Sequence, residues 1–142
     1  MAKPTSHQLD TKRYPYSITL MTRFTDVDRN GHINNIAITE LLEEGHAQFV
    51  WSLKTSALDN IRSVVAHREI SYLAELNYPE RIDVHIGVIA LGRSSWQIAK
   101  LGMRDGTPIA YAEVTLVGRD ETTGAMPDAW RQRLTGMLLA DT

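Results

Sequence analysis

From Tyr16 the chain alternates, with Tyr16, Ile18, Leu20, Thr22 and Phe24 on one side and Ser17, Thr19, Met21, Arg23 and Thr25 on the other. That period of two is expected of a half-buried strand. A polar stretch, DVDRNGHINN, follows at residues 26–35, and beyond it Ile38, Leu41, Leu42, Gly45 and Phe49 recur at helical spacing while Glu40, Glu43, Glu44 and Ala47 fall on another side. The pattern predicts an amphipathic helix of about four turns, begun near Asn34 or Asn35, either of which can cap it. Gly45 inside such a helix costs on the order of 1 kcal/mol against alanine, which points to close packing against a neighbour. Two more alternating runs follow, Val64, Ala66, Ile70 and Tyr72 against His67, Glu69 and Ser71, and Ile82, Val84, Ile86, Val88 and Ala90 against Arg81, Asp83, His85 and Gly87. Residues 94–103 and 109–118 make a further pair of strands joined around Asp105-Gly106, a strong hairpin dipeptide. Trp130, Leu134, Met137 and Leu138 mark a last amphipathic helix.

The order strand, long helix, four strands, short helix argues an α+β domain, because short turns make the later strands antiparallel and one long helix needs a sheet face to cover it. Ala110, Ala112 and Val114 are small enough to let the sheet curve around that helix. The strand from Ser95 to Met103 is apolar on both sides, Trp96 and Ile98 on one and Ala99, Leu101 and Met103 on the other. A strand wet on one face does not look like that. Its outer face is expected to be covered by another subunit, or alternatively by the C-terminal helix.

Composition narrows the partners. The 142 residues, 43% hydrophobic, suffice for one core, read as a domain over 14–142 behind a flexible N-terminal arm, 1–13. A net charge of −2 without a basic run gives no reason to expect nucleic acid. With no cysteine, thiolate metal sites and cysteine nucleophiles are excluded, and a reducing cytoplasm is the expected compartment. No apolar run approaches the roughly 18 to 20 residues of a membrane helix, so no membrane partner is expected.

The polar loop is where chemistry concentrates. Asp26, Asp28, Asn30, Gly31 and Ile33 follow the pattern of a calcium loop, but the twelfth position, which should be a bidentate glutamate, is Ala37, and the preceding segment alternates as a strand where a helix is needed. A capped turn explains one polar residue and leaves Asp28, Asn30 and His32 without a reason. A catalytic loop explains them together. The first N–H groups of the helix near Asn35 lie at the positive end of its dipole and can receive a developing oxyanion. A carboxylate just upstream, Asp28, can attack a bound carbonyl or take a proton from water. A thioester suits that pairing, since its thiol leaving group, with a pKa of about 8.5, departs with little help from a general acid.

On these segments the chain resembles the hotdog-fold thioesterases, the group of 4-hydroxybenzoyl-CoA thioesterases and related acyl-CoA thioesterases. The likeness runs through RFTDVDRNGHINN, the helix with LLEEGHAQF, VVAHREISYLAEL, RIDVHIGVIALGRSSW and YAEVTLVGRD. It implies an antiparallel sheet wrapped around a long central helix, dimers or dimers of dimers, an acyl-CoA substrate and no cofactor. It also implies Asp28 as nucleophile or general base and the backbone N–H near Asn35 as the group that polarises the carbonyl. Asp26 has no assigned chemistry in that group and is read as shaping the loop. Locally the loop is similar to that of the acyl-acyl-carrier-protein thioesterases, whose Asp-x-Asn-x-His followed by V-N-N matches Asp28, Asn30, His32, Ile33, Asn34 and Asn35. That similarity implies Asp28, Asn30 and His32 in one catalytic set. It also expects a downstream acid or cysteine near Leu73 and Ala74, where Glu75 is close but out of register.

Elsewhere, Arg93, Ser94 and Ser95 form a turn that can meet the phosphates of coenzyme A in similar enzymes, with Arg93 offering a bidentate contact. Glu43 or Glu44 is the alternative catalytic carboxylate, as some hotdog thioesterases use a helix glutamate. The five histidines show no i, i+4 pairing, so no metal is expected. Two other readings of the same fold remain, a hydratase or dehydratase, whose usual Asp-x-Asn-x-x-His is one residue longer than the spacing here, and a non-catalytic acyl-CoA-binding protein.

Overall fold

The computed structural model describes residues 3–54 and 62–141, so residues 1–2 of the expected arm and 55–61 and 142 of the expected domain lie outside the described residues. The order is β1 (Tyr16–Met21), α1 (Asn35–Leu53), β2 (Ser63–Tyr72), β3 (Arg81–Leu91), β4 (Ser95–Arg104), β5 (Thr107–Gly118) and α2 (Asp128–Thr135). The strands form one antiparallel sheet in the order β1-β3-β4-β5-β2. This is the hotdog arrangement of a sheet curved around a central helix. The β4–β5 hairpin turns at Asp105 (φ 46°) and Gly106 (φ 81°), the left-handed pair that a two-residue turn demands.

α1 lays Ile38, Leu42 and Phe49, each 0–1% exposed, onto Ile82, Val84, Ile98, Ala110 and Ala112 of the sheet. The small residues of β5 line this face, as their size predicts. Gly45 packs against Val84 so closely that a Cβ there would come within 2.7 Å of Val84 Cγ1. Overpacking of that kind costs about 1–3 kcal/mol and outweighs the roughly 1 kcal/mol that alanine gains as a helix former. Gly45→Ala should therefore lower the melting temperature by a few degrees in a calorimetric scan, and an unchanged or raised value would contradict the contact.

Three expectations change. β1 ends at Met21, not Thr25, because the Thr22 hydroxyl and N–H both donate to the Glu80 carbonyl (2.6 and 3.3 Å) and residues 24–26 close into a 3-10 turn that leaves Phe24 on the surface. Register shifts at Ala66 and Ile89 reverse the side-chain phase, so Val65 instead of Val64 pairs with the inward Leu116, and Leu91 replaces Ala90 opposite Trp96. The outer face of β4 is covered from within this chain, and not by α2. Ala99, Leu101, Met103 and Tyr111 pack under Leu9, Tyr14 and Leu139 from its two ends, where a second subunit or the C-terminal helix was expected. The ends also bond each other: Arg13 Nε and the Ala140 N–H donate to the Ala140 and Arg13 carbonyls at 2.7 and 2.9 Å. Leu9 and Gln8, from residues 3–13, thus lie against the sheet, whose outer face is too apolar to leave wet. α2 sends Trp130 and Leu134 into the main core, with Trp130 edge-on to Trp96 at 5.9 Å. Among the described residues no helix is long and apolar enough to cross a membrane.

Candidate active site

The loop between β1 and α1 is folded by its own polar groups. The Asp28 N–H donates to the His32 carbonyl (2.8 Å) and the Gly31 N–H to the Asp28 carbonyl (3.0 Å), with Gly31 at φ 84° where a side chain would be strained. Asp28 Oδ1 accepts the N–H of Asn30 at 2.9 Å and that of His32 at 3.4 Å. Its second oxygen accepts no hydrogen bond among the described residues. Behind the loop, Asp26 holds Arg23 in a bidentate pair (2.9 and 3.0 Å), and its carbonyl accepts both N–H and Nδ2–H of Asn34. Asn34 is the N-cap of α1, its Oδ1 accepting from the Ala37 N–H at 2.8 Å. The N–H groups of Asn35 and Ile36, the first two of the helix, are left without an acceptor among the described residues and carry the positive end of the dipole.

Opposite this loop runs the segment between β2 and β3. The Ile33 N–H donates to the Leu76 carbonyl at 2.8 Å and ties the two together. His32 faces two oxygens at once, Asn77 Oδ1 2.9 Å from Nδ1 and Glu75 Oε1 3.3 Å from Nε2. The bond to Asn77 raises the pKa of His32 above its usual value; partial desolvation opposes it, and the negative charges of Glu75 and Asp28 add to the rise. The proton on His32 therefore favours the folded state. That contribution is complete below the unfolded pKa of about 6.5 and is lost as pH rises through the folded value. An NMR titration should place the His32 midpoint above 6.5, with Asn77→Ala moving it down; a midpoint at or below that value would contradict the geometry.

Between loop and segment lies a cleft of about 440 Å³ lined by Asp28, Asn30, His32, Ile33, Asn35, Ile38, Tyr72, Leu73, Ala74 and Glu75. The four residues singled out in the loop, Asp28, Asn30, His32 and Asn35, thus border one cavity. Glu75 joins them despite its register, and Asn77 and Tyr72 enter the site with no sequence signal, since nothing local says that the β2–β3 connection folds over the β1–α1 loop.

Other candidates lie elsewhere. Arg93, Ser94 and Ser95 sit at the β3–β4 turn, at the far end of β3 from the cleft; its 11 residues span about 33 Å. There Arg93 donates to the Thr123 carbonyl at 3.1 Å, the Ser95 carbonyl accepts from the Gly92 N–H across the turn, and the Ser94 carbonyl accepts from the Gly118 N–H at the end of β5. Within one chain the structure does not bring this turn to the site. Neither helix glutamate lines the cleft. Glu44 accepts from Gln48 at 2.8 Å, while one oxygen of Glu43 takes both Lys100 Nζ and Arg68 Nη2 at 2.8 Å. Lys100, on the inner face of β4, is 1% exposed. Burial would raise the pKa of Glu43, but the hydrogen bond and charge of Lys100, with Arg68 behind, bring it below the usual value. His46 beside them is driven down to about 4, first by burial and then by the Lys100 charge.

The fold and this loop match one family. Residues 22–134 fit the model of the thioesterase-like superfamily. The chain belongs to that superfamily. No curated protein matches it. Among solved structures it is similar to a thioesterase from Thermus thermophilus complexed with coenzyme A and zinc, at 25% identity over 89% of this chain and 96% of that one, TM-score 0.77. A protein from Pseudomonas aeruginosa superposes with a TM-score of 0.78 at 20% identity, over 92% of this chain and 96% of that one. A 1,4-dihydroxy-2-naphthoyl-CoA thioesterase from Synechocystis gives 0.73 at 12% identity, over 84% and 95% of the two chains. The last two show the fold alone. The superfamily points this member of it to thioester hydrolysis as a reaction class.

Proposed function

We propose that the protein hydrolyses an acyl-CoA thioester, or its acyl-carrier-protein counterpart, in the cleft between the β1–α1 loop and Tyr72–Glu75. The observation that carries this reading is a carboxylate oxygen of Asp28 that has no donor among the described residues, in the same cleft as Asn35, the first residue of α1, whose N–H has no acceptor among them. With the carbonyl oxygen at the N–H groups of Asn35 and Ile36, the charge that develops on it is met by fixed dipoles. Asp28 then attacks the carbonyl carbon to give an anhydride that water cleaves, or takes a proton from the water that attacks; either way the C–S bond breaks and the thiolate leaves. His32, whose pKa the bond to Asn77 and the charge of Glu75 raise, holds the loop against the β2–β3 segment and in its protonated form adds positive charge near the carboxylate, and Asn30 shapes the turn that aims it.

The coenzyme-bound relative from Thermus thermophilus supports a CoA substrate. Contacts from Arg93, Ser94 and Ser95 would have to come from a second copy. A homodimer, or a dimer of dimers, fits the outer edge of β2, unpaired among the described residues, with the exposed Val64 and Val65 on it and Trp51 beside it. A cytoplasmic setting fits the absence of cysteine.

The deciding assay is thiol release from a panel of acyl-CoA thioesters, run beside loss of the enoyl chromophore. Thiol release supports hydrolysis. Enoyl hydration without thiol release would move the protein to the hydratases, and binding without either reaction would make it a carrier of acyl-CoA.

A further inference from the structure

α1 packs on β1, β3 and β4. To β2, the edge strand, it reaches through two polar rungs. The first joins the Thr39 and Tyr72 hydroxyls at 2.5 Å, and the second joins Glu43 to Arg68 at 2.8 Å. Tyr72 is also a wall of the cleft that holds Asp28 and Asn35. From this geometry we infer that the rungs end the acyl pocket and restrict the enzyme to compact acyl groups, with Tyr72 and Thr39 as the specificity-determining pair. The inference rests on the hydrolytic reading for which end of the acyl group is held at Asn35.

The dimensions follow from the helix. Thr39 is four residues beyond Asn35 and Glu43 is eight, so the rungs stand about 6 and about 12 Å along α1 from the N–H groups that hold the carbonyl. An alkyl chain with trans torsions advances about 1.3 Å per carbon, which puts the first rung at roughly four to six carbons or one aromatic ring. The two rungs differ in how they yield. The hydroxyl pair is half-exposed at Tyr72, 42%, and each hydroxyl can exchange its partner for water. The second rung is anchored from below by Lys100, whose side chain is 1% exposed and whose ammonium donates to the same carboxylate oxygen. Moving Glu43 aside would leave that buried cation without its counter-ion, so a longer chain that parts Thr39 from Tyr72 still meets a closed, charged barrier.

The test is a series of kcat/KM values for butyryl-, hexanoyl-, decanoyl-, palmitoyl- and benzoyl-CoA, with calorimetric binding of the matching non-hydrolysable thioethers. For the wild type, the specificity for decanoyl relative to butyryl should be below about one tenth. Tyr72→Ala should raise that ratio by about tenfold, and Thr39→Val by less, because it removes a hydroxyl and keeps the bulk. A wild type that prefers palmitoyl-CoA, or a Tyr72→Ala ratio equal to that of the wild type, would overturn the inference. Should no thioester be cleaved, the thioether affinities decide: a cut-off at hexanoyl that Tyr72→Ala relaxes supports the rungs while sinking hydrolysis, and affinities flat with length overturn the rungs.

Discussion

Asp28→Asn should leave the melting temperature within about a degree of the wild type and lower kcat by about a thousandfold, within the range for loss of a positioned base or nucleophile. The fold should survive because an amide oxygen can still accept the N–H groups of Asn30 and His32 that Asp28 Oδ1 now takes. The reaction should not, because the amide has neither the charge to attack a carbonyl nor the basicity to draw a proton from water. Thiol release from whichever acyl-CoA proves best is the measurement, with circular dichroism as the check on the fold. A variant retaining more than about a tenth of the wild-type rate would remove Asp28 from the mechanism. Since Glu43 stands in two ion pairs away from the cleft, it offers no ready substitute.

Glu43→Gln should destabilise the protein by about 3–5 kcal/mol, the cost of stranding a buried charge, and lower the melting temperature by about 10 °C. The reason is Lys100. Its side chain lies on the inner face of the sheet under α1, burial already lowers its pKa, and the hydrogen bond and charge of Glu43 are what oppose that fall. The double variant Glu43→Gln with Lys100→Met separates this cause from a general effect on the helix: it should recover most of the loss, because replacing a buried ion pair with apolar bulk is often neutral or better. Equal instability of the single and double variants in urea melts would show that the pairing is not what matters. If Glu43 were instead the catalytic carboxylate, the single variant would lose turnover while keeping its stability.

Some of this was legible in the chain. The alternation of β1 and β3, the hairpin at Asp105-Gly106, the start of α1 at Asn34-Asn35 and the tight place of Gly45 all follow from rules that act within a few residues of one another, namely side-chain period, turn conformation, capping and the size of one Cβ. The Asp28, Asn30 and His32 spacing belongs to the same kind, for a single turn closed by Asp28 itself carries all three. Tertiary structure decided the rest. The one-residue bulges at Ala66 and Ile89 send Val65 and Leu91 to the faces assigned to Val64 and Ala90, and periodicity cannot announce an inserted residue. Glu75 and Asn77 reach His32 from far along the chain, and only the path of the β2–β3 connection over the loop puts them there. The outer face of β4 advertised in its own sequence that something had to cover it, but not that Leu9, Tyr14 and Leu139 would. Local order is written in neighbouring residues, whereas what covers a face, which strand stands at an edge and which polar groups share a cleft depend on strand order and register, quantities that exist only once distant segments have met.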